Sequence, residues 1–415
     1  MHPIQTTGGS NLNIYIAAPP IWTYVAGDTI IGSVNRHLHI VTPDAKISVT
    51  LIGRTKARLI TAGYPSKTTY YGDWELFNLP QTLLRGPIHI PSPSTQTDWI
   101  NIPFSINIPE AASLSTIHDH AQEESFISLE ANIIAQHPLP GSFSTEWTGA
   151  KVCIEYYVQA QLQYMHNGSW QVERATAPIT LGYPTVDADE IWFAQQRCSI
   201  VSRVRSQRLL PWMRDVDLSL MQRTQKILGL ASVPGFSFEV VMSVPVAIQL
   251  NNSSPIPLVI RIIPQREGSS SAIWDVVQRV DVTAIKMTIL SKVEIVLQPT
   301  VESLYRVPDD EYVFVQQLGL EKAFEQLKDP VVTFAGPADT PVDIGRVLRL
   351  VLRNDGLMSD GRCLSRLASI QPSFVTFNTR LSHSIIWQIS VSIAGETRTV
   401  SMETAVTVYN SASRL

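Results

Sequence analysis

Five arginines, Arg197, Arg203, Arg205, Arg208 and Arg214, fall within eighteen residues that contain no aspartate or glutamate. They are interleaved with Ile200, Val201, Val204, Leu209, Leu210, Pro211 and Trp212. Guanidinium forks match the oxygens of phosphate, and Trp and Leu suit the headgroup boundary of a bilayer, so the stretch reads as a candidate lipid- or phosphate-binding site. The competing reading pairs these arginines with Asp187, Asp189, Glu190, Asp215 and Asp217, so that they tie a connection to its neighbours. Lys46, Arg54, Lys56 and Arg58 form a second basic set on a strand, read as a solvated face. His118-Asp-His-Ala-Gln-Glu-Glu124 crowds metal donors into one loop, but zinc needs three or four ligands held in tetrahedral geometry, and the loop reads as solvated. His37 and His39 share a strand face by their spacing of two and read as exposed imidazoles. The sequence contains no GxSxG, HExxH, GxGxxG or GxxxxGK[ST] pattern. No catalytic residue, metal site or cofactor is therefore assigned.

The elements that position these residues follow from composition. Apolar residues are 44% of the chain and charged residues 16%, with 27 prolines and 21 glycines, which suits many short strands joined by turns. At 415 residues there is room for two cores. A net charge of −4 argues against wholesale nucleic-acid binding. The three cysteines are far apart with no CxxC pair, and read as reduced thiols. The N-terminus lacks the pattern of a signal peptide, and no run approaches the ~20 apolar residues that span a bilayer, so an intracellular, non-spanning protein is expected.

Alternation with a period of two marks strands at Leu12–Ile16, Asp44–Leu59, Tyr70–Leu79, Trp99–Pro109, Lys151–Gln163 and Trp170–Leu181. Pro103 confines its strand to an edge or to the strand's first residues. His166-Asn-Gly-Ser169 is a hairpin turn. Gly86–Asp98 reads as loop. Residues 184–233 read as a connection carrying the basic stretch and an amphipathic segment, Asp215–Leu228. A second β region follows through Phe236–Pro245, Pro257–Pro264, Val276–Leu297, Arg346–Arg353, Ser373–Phe377 and Ile385–Ile393, with one helix at Leu320–Leu327.

Several short motifs, in this order, resemble the arrestin-like family, and specifically the arrestin-related adaptors of fungi. Tyr24-x-x-Gly27-Asp28 precedes a strand ending in Leu51-x-Gly53, and Ile102-Pro-Phe-Ser-Ile106 is similar to the family's Leu-Pro-Phe-Ser-Phe strand. Pro138-Leu-Pro-Gly-Ser-Phe143 is similar to Leu-Pro-Pro-Ser-Phe with Gly141 in place of a proline, and Val152 to Ala160 resembles the Val-x-Tyr-x-Val-x-Ala strand. Val244–Pro264 resembles the start of the family's C-terminal domain. The resemblance implies an all-β fold of two tandem antiparallel β-sandwiches, arrestin-like and immunoglobulin-like. The expected division is 1–183, an N-terminal sandwich; 184–233, a connection; and 234–415, a C-terminal sandwich.

It also implies a non-enzymatic adaptor at the plasma membrane or endosomes. Such an adaptor binds the cytosolic segments of membrane transporters or receptors for endocytosis or sorting, and touches an anionic membrane surface. A HECT-type ubiquitin ligase is an implied partner, directly or through another arrestin, because family adaptors recruit its WW domains through Pro-Pro-x-Tyr. This chain departs from that motif: its one Pro-Pro pair is Pro19-Pro20-Ile21-Trp22, with Trp22 at the Tyr position, a weak WW-domain candidate. Two alternatives stand beside the adaptor: a structural sorting-coat subunit of the retromer type, and, more remotely, an enzyme on a β-sandwich scaffold.

Overall fold

The computed structural model describes residues 12–411 apart from 20, 37–38, 63–66, 91–99, 114–124, 148, 187–193, 215, 218, 228–231, 298–309, 328–330, 336–340 and 366–368. With 64% of the chain in strands and 8% in short helices, the fold is all-β and sandwich-type. The chain divides into two compact units. The first comprises Met1–Pro184 together with Val293–Tyr312 and Phe374–Leu381; the second comprises Thr185–Lys292, Val313–Ser373 and Ser382–Leu415. Neither unit is therefore contiguous in sequence. No helix among the described residues is long and apolar enough to cross a membrane.

In the first unit, β1 (Asn13–Ile16), β2 (Thr29–Arg36) and β5 (Ile100–Asn107) form one antiparallel sheet in the order β1-β2-β5. Pro103, which has no N–H to donate, lies on its edge strand, one of the two placements the sequence allowed. The opposing sheet contains β3 (Ile40–Ala62), β4 (Lys67–Ile90), β6 (Phe143–Trp147), β7 (Ala150–His166) and β8 (Ser169–Leu181). Its order is β8-β7-β3-β4, with β6 paired to β7 and the two-residue strand Thr23–Tyr24 running parallel to β8. Alternate residues of the two sheets, among them Ile30, Val34 and Phe104 from the first and Val49, Leu51, Phe77, Tyr156 and Val158 from the second, make one buried core. Asn167 and Gly168 take positive φ (48° and 76°) and close the β7–β8 hairpin expected of an Asn-Gly pair.

Gly53 and Gly141, two glycines of the sequence motifs, have steric reasons. A Cβ on Gly53 would fall 2.7 Å from the Phe77 ring and 2.8 Å from that of Tyr156, two rings stacked with centroids 5.9 Å apart. A Cβ on Gly141 would fall 2.7 Å from the Tyr183 ring. Overpacking a filled core costs typically ~1–3 kcal/mol, so Gly53→Ala is expected to lower the urea midpoint of the first unit by that equivalent. An unchanged midpoint would show that the two rings yield freely.

Two further sheets carry the core of the second unit. β9 (Gln195–Arg205), β10 (Gly235–Pro245) and β11 (Val259–Gln265) lie in that order, followed by Val342–Asp343. The other sheet runs β15-β14-β12-β13, from β12 (Gln278–Ile295), β13 (Asp310–Gln317), β14 (Thr379–Ile393) and β15 (Glu396–Ser411). Phe238, Val240, Met242, Ile260 and Ile262 face Val282, Met287, Ile289, Trp387 and Ile389 across its core. Trp387 satisfies its one donor by an Nε1–H bond to Thr404 Oγ1 at 2.9 Å.

Three expectations change. The span 184–233 is not a bare connection: Gln195–Arg205 is a full strand of the second unit, because Cys198, Ile200 and Val204 have core to cover. The loop expected from Gly86 begins later, since β4 runs through Ile90 in register with Ile40. The strand expected at Arg346 starts only at Val351. Before it, Ile344–Val347 is a helical turn whose N-cap, Asp343, accepts from Arg346 N at 3.0 Å. The amphipathic segment contains the helix Leu220–Ile227.

Candidate functional site

The arginine stretch begins on β9, where alternation sorts its side chains. Cys198, Ile200 and Val204 point to the core, so Arg197, Ser199, Val201, Arg203 and Arg205 share the outer face of the sheet. Val201, in the middle of this row, is 61% exposed, while Val241 beside Ser199 on the neighbouring strand is buried. In register, Arg197 lies beside Ser243, Val201 beside Glu239, Arg203 beside Ser237 and Arg205 beside Gly235. The Arg203 guanidinium extends over Gly235, where an added Cβ would sit 2.6 Å from Nη2. The glycine leaves the room that lets this side chain lie along the sheet.

At Ser206 the chain leaves the sheet. Its N–H bonds to Pro234 O at 3.1 Å and its Oγ accepts from Arg208 N at 3.4 Å, capping a single 3₁₀ turn; a second turn starts with Pro211. The remaining two arginines are thereby directed elsewhere. Arg208 approaches Asp217 at 3.9 Å, and its Nη1 passes 3.2 Å from the Cβ position of Gly395. Arg214 donates to the carbonyl of Val277 at 2.9 Å. Of the five candidates, the structure gathers Arg197, Arg203 and Arg205 on one face and gives Arg208 and Arg214 contacts that hold turns. Of the acids named as alternative partners, Asp217 makes its pair. Asp187, Asp189, Glu190 and Asp215 lie outside the described residues.

Arg261, which the sequence did not single out, joins the same face. It is exposed on β11 opposite Val241, which in turn lies beside Ser199. Only register, not local sequence, could have placed it there. Two carboxylates share the face among the described residues: Glu239, which accepts from Gln265 Nε2 at 3.1 Å, and Asp343, already engaged as a helix cap. Four arginines and these two carboxylates line the face. Arg203 and Arg205, two residues apart on a strand, present their side chains ~7 Å apart, the same repeat at which an extended peptide presents alternate side chains.

In the other basic set Lys46 is exposed as expected, but Arg54 and Lys56 are not part of a solvated face. Arg54 Nε donates to Glu155 Oε1 at 2.6 Å, the Lys56 ammonium meets the same oxygen, and Arg54 lies 3.9 Å from Asp73 and over the Tyr157 ring. Lys56 and Glu155 are both buried. Against the pull of burial, the hydrogen bonds from Lys56 and Arg54 hold the Glu155 carboxyl below its ordinary range. Arg54 and Lys56 are thus paired with carboxylates within the sheet, which removes these two as a phosphate contact.

Among the described residues no group of three or more His, Cys, Asp or Glu is arranged to hold a metal ion, and His118–Glu124 lies outside them. His39 is exposed; His37 lies outside the described residues. The Pro19 carbonyl accepts from Trp22 N at 3.0 Å, so this segment makes a turn, whereas a WW-domain groove takes an extended polyproline helix. Pro20 itself lies outside the described residues.

All three cysteines are free thiols. Burial pushes the Cys153 thiol up to about 11, aided by the Glu155 carboxylate, and burial also raises Cys198. Cys363 is exposed. Alkylation of the native protein at mildly alkaline pH, followed by mass spectrometry, is expected to modify Cys363 first and to leave Cys153 untouched until unfolding. No family model matches the chain, and no curated protein matches it.

Proposed function

We propose that this chain is a non-catalytic adaptor that binds acidic or phosphorylated cytosolic segments of membrane transporters or receptors and couples them to endocytosis or sorting. The observation that carries this reading is the row Arg197, Arg203 and Arg205, joined by Arg261 on one outer sheet face. A rigid sheet fixes the spacing of the guanidinium groups, and an extended chain bearing phosphate or carboxylate at alternate positions matches it. The order of arrestin-like motifs along the sequence supports the same role. With a turn at Pro19–Trp22 in place of an extended Pro-Pro-x-Tyr, a HECT-type ligase would be reached through another arrestin rather than by this segment.

Proximity labelling in the native cell, with the wild-type chain and an Arg197→Ala, Arg203→Ala, Arg205→Ala variant as baits, tests the reading. Transporters enriched by the wild type and lost from the variant are the expected result. Equal enrichment by both baits would overturn the arginine face as the cargo site. Loss of bulk membrane association with cargo retained would move the face to an anionic lipid surface.

A further inference from the structure

Among the described residues, the outer edge of β13 leaves a strand without the usual protections. β13 ends the order β15-β14-β12-β13, and among the described residues no strand pairs with its far side. Its consecutive residues Val313, Phe314 and Val315 are 44%, 38% and 59% exposed, so neither face of the strand is covered there. Between Tyr312 and Gln317 it carries no proline and no charge. Natural proteins blunt free edges with proline, lysine or bulges, as Pro103 does on the edge strand β5 of the first unit. An unblunted edge rich in valine and phenylalanine is one that something completes.

We infer that this edge pairs with the same edge of a second copy of the chain, forming an antiparallel two-fold contact centred on Phe314. The strand is complementary to itself in that register. Val313 falls opposite Val315 of the second copy on both sides of the axis, Tyr312 falls opposite Gln316, and Glu311, the nearest charge, falls opposite Gln317. No like charges face each other, and two β-branched pairs lie side by side on one sheet face. Eight residues of edge make a small interface, so the dimer is weak and concentration-dependent.

Sedimentation equilibrium of the full chain, from micromolar to about 0.5 mM, is the test, because weak interfaces populate over that range. Wild type is expected to shift from monomer to dimer. Val313→Lys with Val315→Lys sets lysine opposite lysine twice and is expected to weaken association by about tenfold or more. Val313→Lys with Val315→Glu sets lysine opposite glutamate twice and is expected to restore it. Both variants change only exposed positions, and circular dichroism checks their folding. A wild type that stays monomeric throughout overturns the inference, as does a dimer indifferent to the double lysine. Failure of the lysine–glutamate variant to recover overturns the register.

Discussion

Replacing Glu155 with alanine is expected to lower the stability of the first unit by about 3–5 kcal/mol at neutral pH, the cost of leaving a buried cation without its partner. Glu155 receives both Arg54 and Lys56 from the adjacent strand, and Lys56 is buried. Arg54 can fall back on Asp73, already 3.9 Å away. Asp73 is a poorer partner for a second cation, since burial holds its carboxyl above the usual range despite the pull of both neighbours. Urea denaturation gives the reading. Glu155→Leu combined with Lys56→Met is expected to recover most of the loss, because an apolar pair of similar volume removes the desolvation penalty along with the attraction. If the double variant is as unstable as the single one, packing and not charge explains the effect. The sign with pH follows from the lowered carboxyl. Its contribution is present above the ordinary glutamate range and fades as pH falls through the folded value below it.

That ion pair also shows where sequence reading stops. The strand carrying Arg54, Lys56 and Arg58 was legible from its alternation, but Glu155 lies 101 residues from Arg54, and only the β3–β7 register brings them together. Alternation likewise placed β7 and the edge position of Pro103, because a period of two and a missing donor are local properties. It did not reveal β15, where the buried row Val400, Met402, Thr404, Val406 and Val408 includes a threonine and is set among Thr, Ser and Glu. The helical turn at Ile344–Val347 was hidden for a different reason. Gly345 there has Ile256 O where a Cβ would lie, so contacts from far along the chain select the conformation. For the arginines, the sequence reading had a connection, and only the strand Gln195–Arg205 gives Arg197, Arg203 and Arg205 a shared face. The diversion of Arg208 and Arg214 depended on the Ser206 cap and on Val277, which spacing does not show. The two units proved discontinuous because residues 293–312 and 374–381 group with the first.

Acidification from pH 6.5 to about 4 is expected to destabilise the second unit through His383. This imidazole is buried on β14, its Nε2–H donating to Gln371 O at 3.0 Å and its Nδ1 accepting from the Ser291 hydroxyl at 2.9 Å. A carbonyl can only accept, so the bond to Gln371 fixes the neutral tautomer with its proton on Nε2. Burial pushes the folded pKa down to about 4, and the Gln371 carbonyl offsets only part of that. Above pH 6.5 the histidine is neutral both folded and unfolded, and the unit keeps its full stability. Below that value the unfolded chain takes up a proton that the folded chain refuses, and stability falls until the folded imidazole titrates near 4. The fall from 6.5 to about 4 corresponds to a loss of about 3 kcal/mol across the window. His383→Gln retains a donor for the Gln371 carbonyl and cannot be charged. Urea midpoints measured between pH 7 and pH 4 should therefore slope less for this variant than for wild type, even if the variant starts lower. Carboxylates titrate in both proteins and cancel in the comparison. Parallel slopes would show that His383 is protonated in the folded state at ordinary pH, which would require the Ser291 contact to be made with the hydroxyl as acceptor.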